Sequence, residues 1–375
     1  MTRRITGFLF GFAVFSAILL SSHGYMVLRL ARGPAWPPPI GLAIEVGIWL
    51  GLSLLVALPL GLTRLKPPLA SLFAWPGYLW MGLAFYVLLL LGASDLVMWI
   101  ADLEGIAAER KRAVVVGALT GLIGIVGMAA ALRVPAVKSV DVALSRWPQA
   151  LDGYRIVQIS DIHIGAILQR GYAARLVSRC NSLKPDLLAI TGDLVDGSVA
   201  QLHEHVAPFA GLRAEDGVFF ATGNHDHYSG GEEWIRHLEQ LGLQVLRNSH
   251  HLLRRAGHDF VVAGVLDISS RSGDDVEAAL ATAPDDAPRV LLAHHPETFR
   301  KACRHGVDLQ LSGHTHDGQM WPFRYLVQLQ TRFLAGLYRE GLHTLYVSRG
   351  TGFWGPPLRV LAPAEITHLT LRSAT

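Results

Sequence analysis

Leu187-Leu188-Ala189-Ile190-Thr191-Gly192-Asp193 runs from five residues suited to a buried strand directly into a glycine and a carboxylate. A short, continuous apolar run closed by a turn residue reads as a strand of a sheet covered on both faces. The same pattern recurs on either side of it. Arg155 to Ser160 leads into Asp161-Ile162-His163, and Val218 to Thr222 into Gly223-Asn224-His225-Asp226. Val290 to Ala293 leads into His294-His295-Pro296, and Val307 to Leu311 into Gly313-His314-Thr315-His316. Phe260 to Val265 and Thr344 to Ser348 are two further strands, the second ending at Arg349-Gly350. Leu168, Tyr172, Leu176, Cys180 and Leu183 repeat at helical spacing until Pro185 stops the helix. Apolar strands alternating with helices predict a layered α/β fold. In such folds ligands gather at the loops beyond the strand ends.

The residues at those loops suit divalent metals, which favour carboxylate and imidazole ligands. Asp161 and His163 are two apart on an extended segment, so both side chains can face one way, and His314 and His316 repeat that spacing. Gly192, Gly223 and Gly313 let the backbone turn sharply just before each candidate ligand. Any one of these short motifs alone is a turn or a solvated loop more often than a site. Their conjunction, each at a strand end, points to one hydrolytic centre with two metals.

Composition places this centre in one half of the chain. Of 17 histidines in 375 residues, only His23 precedes residue 150. The charged fraction is 17%, against about 25% for an ordinary globular chain, and mean hydropathy is +0.33. The apolar excess lies in residues 1–135, in stretches of roughly 5–28, 40–62, 75–94 and 113–132, each near the ~20 residues that cross a bilayer. Four membrane helices are expected in 1–135, followed by a linker at 136–150 and a catalytic domain at 151–375. A cleaved signal peptide is the alternative for 5–28, but no small-residue cleavage site follows cleanly and three more spans come after. An even number of spans puts both termini on one side, read here as the cytoplasm of a bacterial inner membrane. Six basic residues against five barely decide it: Arg3, Arg4, Arg64, Lys66, Arg133 and Lys138 against Arg29, Arg32, Arg110, Lys111 and Arg112. Asp95 and Asp102 read as marks of a helix end. The net charge of +3, with no basic stripe, leaves nucleic acid without a footprint. Cys180 and Cys303 form no disulfide framework.

The five blocks, in this order, resemble the calcineurin-like metallophosphoesterase superfamily. Its pattern is Asp-x-His, Gly-Asp-x-x-Asp, Gly-Asn-His-(Asp/Glu), His and Gly-His-x-His. The resemblance covers about residues 150–373. It extends to a bacterial membrane-associated branch through Gly313 to Gln319 and Tyr346 to Gly350. Asp317 departs from that branch, which usually has glycine there, and adds a carboxylate that would alter substrate or metal preference.

The resemblance implies a four-layer α/β/β/α sandwich and two divalent ions per chain, drawn from Mn, Fe, Zn and Co. Asp161, His163 and His316 resemble the ligands of the first metal. Asn224, His294 and His314 resemble those of the second, and Asp193 resembles the bridging carboxylate. His225 resembles the residue that protonates the leaving oxygen or steadies the transition state, oriented by Asp196. Between His294 and His295, the first is taken as ligand because it ends the strand. His227, His295, Asp317 and Arg349 are candidates for contacting substrate, with a loop role or an ion pair as the alternative. Trp321, Phe323, Phe353 and Trp354 read either as core or as an apolar lip facing a bilayer. The expected function is a membrane-anchored hydrolase of phosphomonoester, phosphodiester or pyrophosphate bonds, with a lipid-linked substrate plausible beside a bilayer. The alternative is a non-catalytic membrane sensor or scaffold with a vestigial site. Neither the substrate nor the oligomeric state is legible.

Overall fold

The computed structural model describes residues 2–374. The chain divides into two compact units, Met1–Gly127 and Met128–Thr375. The first is built of four helices, each long and apolar enough to cross a membrane. These are α1 (Thr2–Met26), which continues as a π-helical stretch at Val27–Arg32, α2 (Pro38–Arg64), α3 (Leu69–Ile100) and α4 (Ile106–Leu132). Asp95 does not close its helix, because α3 continues to Ile100. It accepts hydrogen bonds from the Tyr25 hydroxyl at 2.6 Å, Arg29 at 3.0 Å and Arg112 at 2.8 Å. Arg112 also pairs with Glu109, and Arg32 with Glu45. Pairing of this kind is what makes ionised groups tolerable in an apolar bundle.

The second unit holds twelve strands in two six-stranded sheets. The first sheet contains β1 (Ala136–Leu144), β2 (Tyr154–Ile159), β3 (Leu187–Thr191), β4 (Val218–Ala221), β5 (Gln244–Val245) and β12 (Glu365–Ser373). Their order is β1-β12-β2-β3-β4-β5. The second sheet contains β6 (Ser249–Arg255), β7 (His258–Gly264), β8 (Arg289–Leu292), β9 (Leu309–Ser312), β10 (Gly336–Glu340) and β11 (His343–Val347). Their order is β10-β11-β9-β8-β7-β6. Parallel pairing dominates in both; only β12 with β2, β10 with β11 and β6 with β7 are antiparallel.

Each strand that leads to a candidate ligand is apolar throughout because both of its faces are covered. Inward residues of the two sheets, among them Ile156, Ala189, Phe219, Val262, Leu292, Leu311 and Leu369, meet in one core. The outer face of the first sheet packs against α5 (Arg170–Ser182), α6 (Val199–Val206) and α8 (Gly231–Gln240), with the short α7 (Asn224–Tyr228) between the last two. The outer face of the second packs against α9 (Val276–Leu280) and α10 (Phe299–Arg304). The layering is therefore α/β/β/α, with a last short helix, α11 (Arg324–Gln328), outside it.

Residues 136–150, expected to be a linker, carry β1, which pairs with β12 from Ala136↔Glu365 to Leu144↔Ser373. The segment belongs to the sheet because the alternation Val140, Val142, Leu144 turns Val142 and Leu144 into the core.

A clasp fixes the two sheets at the ends of the strands away from the ligands. Buried Asp186, just before β3, accepts from the Arg155 backbone N–H at 2.7 Å and from the Arg155 and Arg255 guanidinium groups at 3.0–3.2 Å. Arg155 lies in β2 of one sheet and Arg255 in β6 of the other. Burial alone would raise the Asp186 pKa, but the hydrogen bonds and charges of the two arginines hold it below its ordinary value. A carboxyl with a lowered folded pKa adds stability above its unfolded pKa and loses it as pH falls through the folded one. Asp186→Asn should therefore cost about 1–2 kcal/mol at neutral pH, at the low end because both arginines are partly exposed. The difference from the unsubstituted protein should vanish in acid. Thermal unfolding of the detergent-solubilised protein at both pH values checks this, and an equal deficit at both would count against it.

Candidate metal centre

The candidate ligands converge because the loops after β2, β3, β4, β8 and β9 open at one end of the two sheets. Three overlapping groups place their ligand atoms within 4.8 Å of one another: Asp161 with His163 and His316, His163 with Asp193 and His225, and Asp193 with His294 and His314. Seven residues of these loops adopt the left-handed backbone region: Asp161, His163, Asp193, His314, His316, Asp317 and Gln319, with φ from 51° to 73°. Non-glycine residues held there cost about 1–3 kcal/mol each and persist only where the surroundings enforce them.

The enforcement is visible around Asp193. Asp226 is buried, and its carboxylate accepts the backbone N–H groups of Gly223, Asp193, Leu194 and Val195 at 2.8–3.2 Å. One side chain thus ties the loop after β4 to the loop after β3. Gly223 lies so close to Asp193 that a Cβ there would meet the Asp193 side chain and its backbone nitrogen. A Cβ on Gly313 would likewise meet Ser160 and the Asp161 carboxylate.

Hydrogen-bond partners show which ring nitrogens point into the cluster. His294 Nδ1 lies 2.8 Å from the Thr191 carbonyl, which can only accept, so that nitrogen carries the proton. Nε2 of His294 then lies 3.2 Å from Asp193 Oδ2, and although burial would lower the His294 pKa, the Asp193 carboxylate raises it well above its ordinary value. His163 Nδ1 donates to Asp196 Oδ1 at 2.9 Å, leaving its Nε2 turned to His316 Nε2 at 3.1 Å and to Asp193 Oδ2 at 3.9 Å. His316 Nε2 is 3.4 Å from Asp161 Oδ1, and His314 Nδ1 is 3.3 Å from His294 Nε2. Asp161 Oδ2 and Asn224 Oδ1 are buried with no hydrogen-bond partner. Ring nitrogens and carboxylates converging on one buried point, with orphaned oxygens beside them, fit cations as shared partners. Burial would lower the His163 pKa, but Asp196, Asp193 and Asp161 around it raise it to about 9. The carboxylates therefore draw positive charge to this point. His314 is held neutral, near 2, by burial and by His294 and His295.

His225 stands at the edge of the cluster. Its backbone N–H donates to Asp193 Oδ1 at 2.8 Å, and its Nδ1 lies 2.7 Å from Asp196 Oδ1, the oxygen shared with His163. Its ring meets His163 edge-on at 4.8 Å between centroids and Trp354 at 5.8 Å.

The four candidates for substrate contact lie farther out. His295 turns Nε2 towards buried Asp267 at 3.4 Å and lays its ring on His314, 3.8 Å between centroids. His227 Nε2 is 2.9 Å from the Thr222 hydroxyl. Arg349 pairs with Asp317 at 3.3 Å, and Arg324 reaches the same carboxylate at 3.2 Å. Asp317 is buried beneath both arginines rather than offered to the cluster. Of the four aromatics, Phe353 is core, whereas Trp321, Phe323 and Trp354 are exposed.

Sequence reasoning assigned nothing to Asp226 or Arg359. Asp226 had a signal, since a carboxylate three residues after Gly223 has capping spacing. Arg359 had none. Its buried guanidinium donates to the carbonyls of Gly352, His316, Arg349 and Ala362 and faces His316 Nδ1 at 3.1 Å. His316 is thus the one ring of the set whose outer nitrogen meets a donor. Burial and the Arg359 charge keep that ring neutral, its pKa well below the ordinary value.

Residues 154–318 match a family model described as calcineurin-like phosphoesterase. A transmembrane protein with metallophosphoesterase domain from Danio rerio is 37% identical over 285 residues, covering 72% of this chain and 65% of that protein. Its Bos taurus counterpart by name is 37% identical over 272 residues, 68% of this chain and 61% of that protein. The chain thus spans less than two thirds of either. An uncharacterized metallophosphoesterase of Bacillus subtilis, YkuE, is 35% identical over 233 residues, 60% of this chain and 82% of that protein.

The packing of Gly223 on Asp193 gives a test of the centre itself. Gly223→Ala should lower bound metal from about two ions per chain to less than one, while the far-ultraviolet circular dichroism stays unchanged. Elemental analysis of the purified variant measures this, and full occupancy would contradict the described packing.

Proposed function

Because the chain belongs to the calcineurin-like phosphoesterase family, we propose that it is a membrane-anchored, metal-dependent phosphoesterase. It hydrolyses a phosphomonoester, phosphodiester or pyrophosphate bond at a dinuclear centre. The observation that carries the reading is the convergence of carboxylates and imidazoles around Asp193, with the orphaned oxygens of Asp161 and Asn224, at the strand ends and bordered by His225. Asp161, His163 and His316 would hold one divalent ion and Asn224, His294 and His314 the other, with Asp193 between them. When bound, the ions supply positive charge to the phosphoryl oxygens and acidify water to a nucleophile at neutral pH.

The remaining work falls to the chain's own side chains. Asp196 accepts a hydrogen bond from Nδ1–H of His225 and so turns Nε2 outwards, where it can deliver a proton to a departing oxygen. The Asp196 carboxylate, lowered to about 2 against the effect of its burial by His163 and His225, stays ionised and stabilises positive charge on that ring. Trp354 covers one side of His225 and limits water there. His295, fixed by Asp267, borders the opposite, His314 side. General acid catalysis of this kind contributes about 10²–10⁴-fold.

Two substitutions separate metal holding from proton transfer. With manganese and an aryl phosphodiester, Asp193→Ala should lose both bound metal and turnover. His225→Ala should keep its metal and lose about 10²–10⁴ in kcat. Chelation should abolish turnover in the unsubstituted protein, and manganese should restore it. If the purified protein cleaves no phosphoester with any divalent ion, or if both variants match it, the proposal fails.

A further inference from the structure

Beside the metal centre, two loops join into an apolar surface. The segment after His316 and the segment 352–361 are stitched together by the Trp321 N–H donating to Val360 O at 2.9 Å and by a bridge between Met320 and Val360. The Gln319 side chain bonds the backbone of Trp354 and Pro356. The surface carries α11, in which no residue is buried although its sequence is Arg-Tyr-Leu-Val-Gln. Tyr325 and Leu326 are more than half exposed, and Leu329, just beyond the helix, is 83% exposed. From the second loop come Trp354 at 53% and Leu361 at 74%. Soluble surfaces rarely gather large apolar side chains in this way without a partner for them.

Its charge indicates what that partner is. Between Asp317 and Glu365 the only acidic residue is Glu340, against Arg324, Arg332, Arg339 and Arg349, while Arg359 is buried. Aromatic and leucine side chains interleaved with arginine, on a surface depleted of carboxylates, have the composition of segments that lie in the headgroup layer of an anionic bilayer. The same chain has four helices fit to span one. The surface also borders the chemistry, since Trp354 contacts the His225 ring and Arg324 pairs with Asp317, next to His316.

We propose that the lip formed by Tyr325, Leu326, Leu329, Trp354 and Leu361 docks into the interface of an anionic phospholipid bilayer and sets the mouth of the metal centre at the headgroup layer. Resting on the phosphoesterase reading, this makes the phosphoester of a membrane lipid the substrate class. The leucines and aromatics bury apolar area among the acyl chains. Arg332 and Arg339, the exposed arginines of this stretch, meet lipid phosphates. A headgroup phosphate would then lie level with His225 without leaving the membrane.

Site-directed spin labels on the full chain test the docking. In a Cys303→Ser background, where Cys180 is buried, single labels are placed by Leu329→Cys, by Leu361→Cys and, as a control on edge strand β6, by Leu252→Cys. The protein is held in nanodiscs of phosphatidylcholine and phosphatidylglycerol. Labels at 329 and 361 should be more accessible to oxygen than to a water-soluble nickel chelate, with the ratio reversed at 252. Adding Leu326→Glu and Leu329→Glu should shift the label at 361 towards the aqueous ratio, because each leucine lost from the interface weakens docking by about tenfold or more. Aqueous ratios at both lip positions overturn the proposal, as does shielding from both reagents, which would mean that protein covers the lip. Should the glutamate variant fail to fold, the labels at 329 and 361 decide alone. Hydrolysis of a soluble aryl phosphodiester by the same samples keeps the two readings apart. Turnover with aqueous labels removes the docking only, and lipid-buried labels without turnover remove the phosphoesterase only.

Discussion

Around Asp193, carboxylates and imidazole rings crowd one buried point. His294 Nε2 lies 3.2 Å from an Asp193 oxygen, and the Nε2 atoms of His163 and His316 lie 3.1 Å apart. Without positive charge among them such an arrangement is repulsive, and burial makes it more so by excluding water. The fold holds it regardless. Thr191 O, Asp196 and Asp226 fix the outer sides of the rings and loops, so that the inner atoms have nowhere to turn. The two sandwiched sheets thus keep together a centre that requires positive charge, carried by protons or by bound cations.

The backbone shows the same cost in another form. Seven loop residues sit in the left-handed region, five of them candidate ligands. Asp and His tolerate that conformation better than branched residues do, which is one reason these positions need not be glycine. The glycines fall instead where two loops touch: Gly223 against Asp193, Gly313 against Asp161. Side-chain identity and backbone shape are therefore coupled here, and the spacing of the motifs reflects both.

That coupling explains what was readable in the sequence. Strands β2, β3, β4, β8 and β9 are short, apolar and closed by a ligand, so a local pattern locates both the sheet and the centre. The π-helical end of α1 and the ion pairs of Asp95 depend on residues distant in sequence, and a count of charges along the chain does not reveal them. Strand β6 escaped because Ser249-His250-His251 is polar and its strand is an edge. Strand β1 escaped because its partner lies at the far end of the chain. Arg359 escaped for the same reason, since its five acceptors come from three separate stretches of backbone and a ring. Motifs at strand ends are local statements, whereas what supports them is not.

The position of β12 has a consequence for how the molecule is made. This strand follows every ligand loop in sequence, yet it lies between β1 and β2, the two strands that come first. During synthesis β2 can pair with β3 and β4 as they emerge, but its other edge stays open until residues 365–373 leave the ribosome. By then the four apolar helices, which precede the whole sheet, have long been translated. The membrane anchor thus has its sequence in hand while the domain behind it still waits for its closing strand. Glu365, at the head of that strand, accepts from the Tyr346 hydroxyl and donates its own N–H to the Gly350 carbonyl. This late strand therefore seats the loop that packs on Asp161 and His316, so the centre takes its shape only after residues 365–373 have been made.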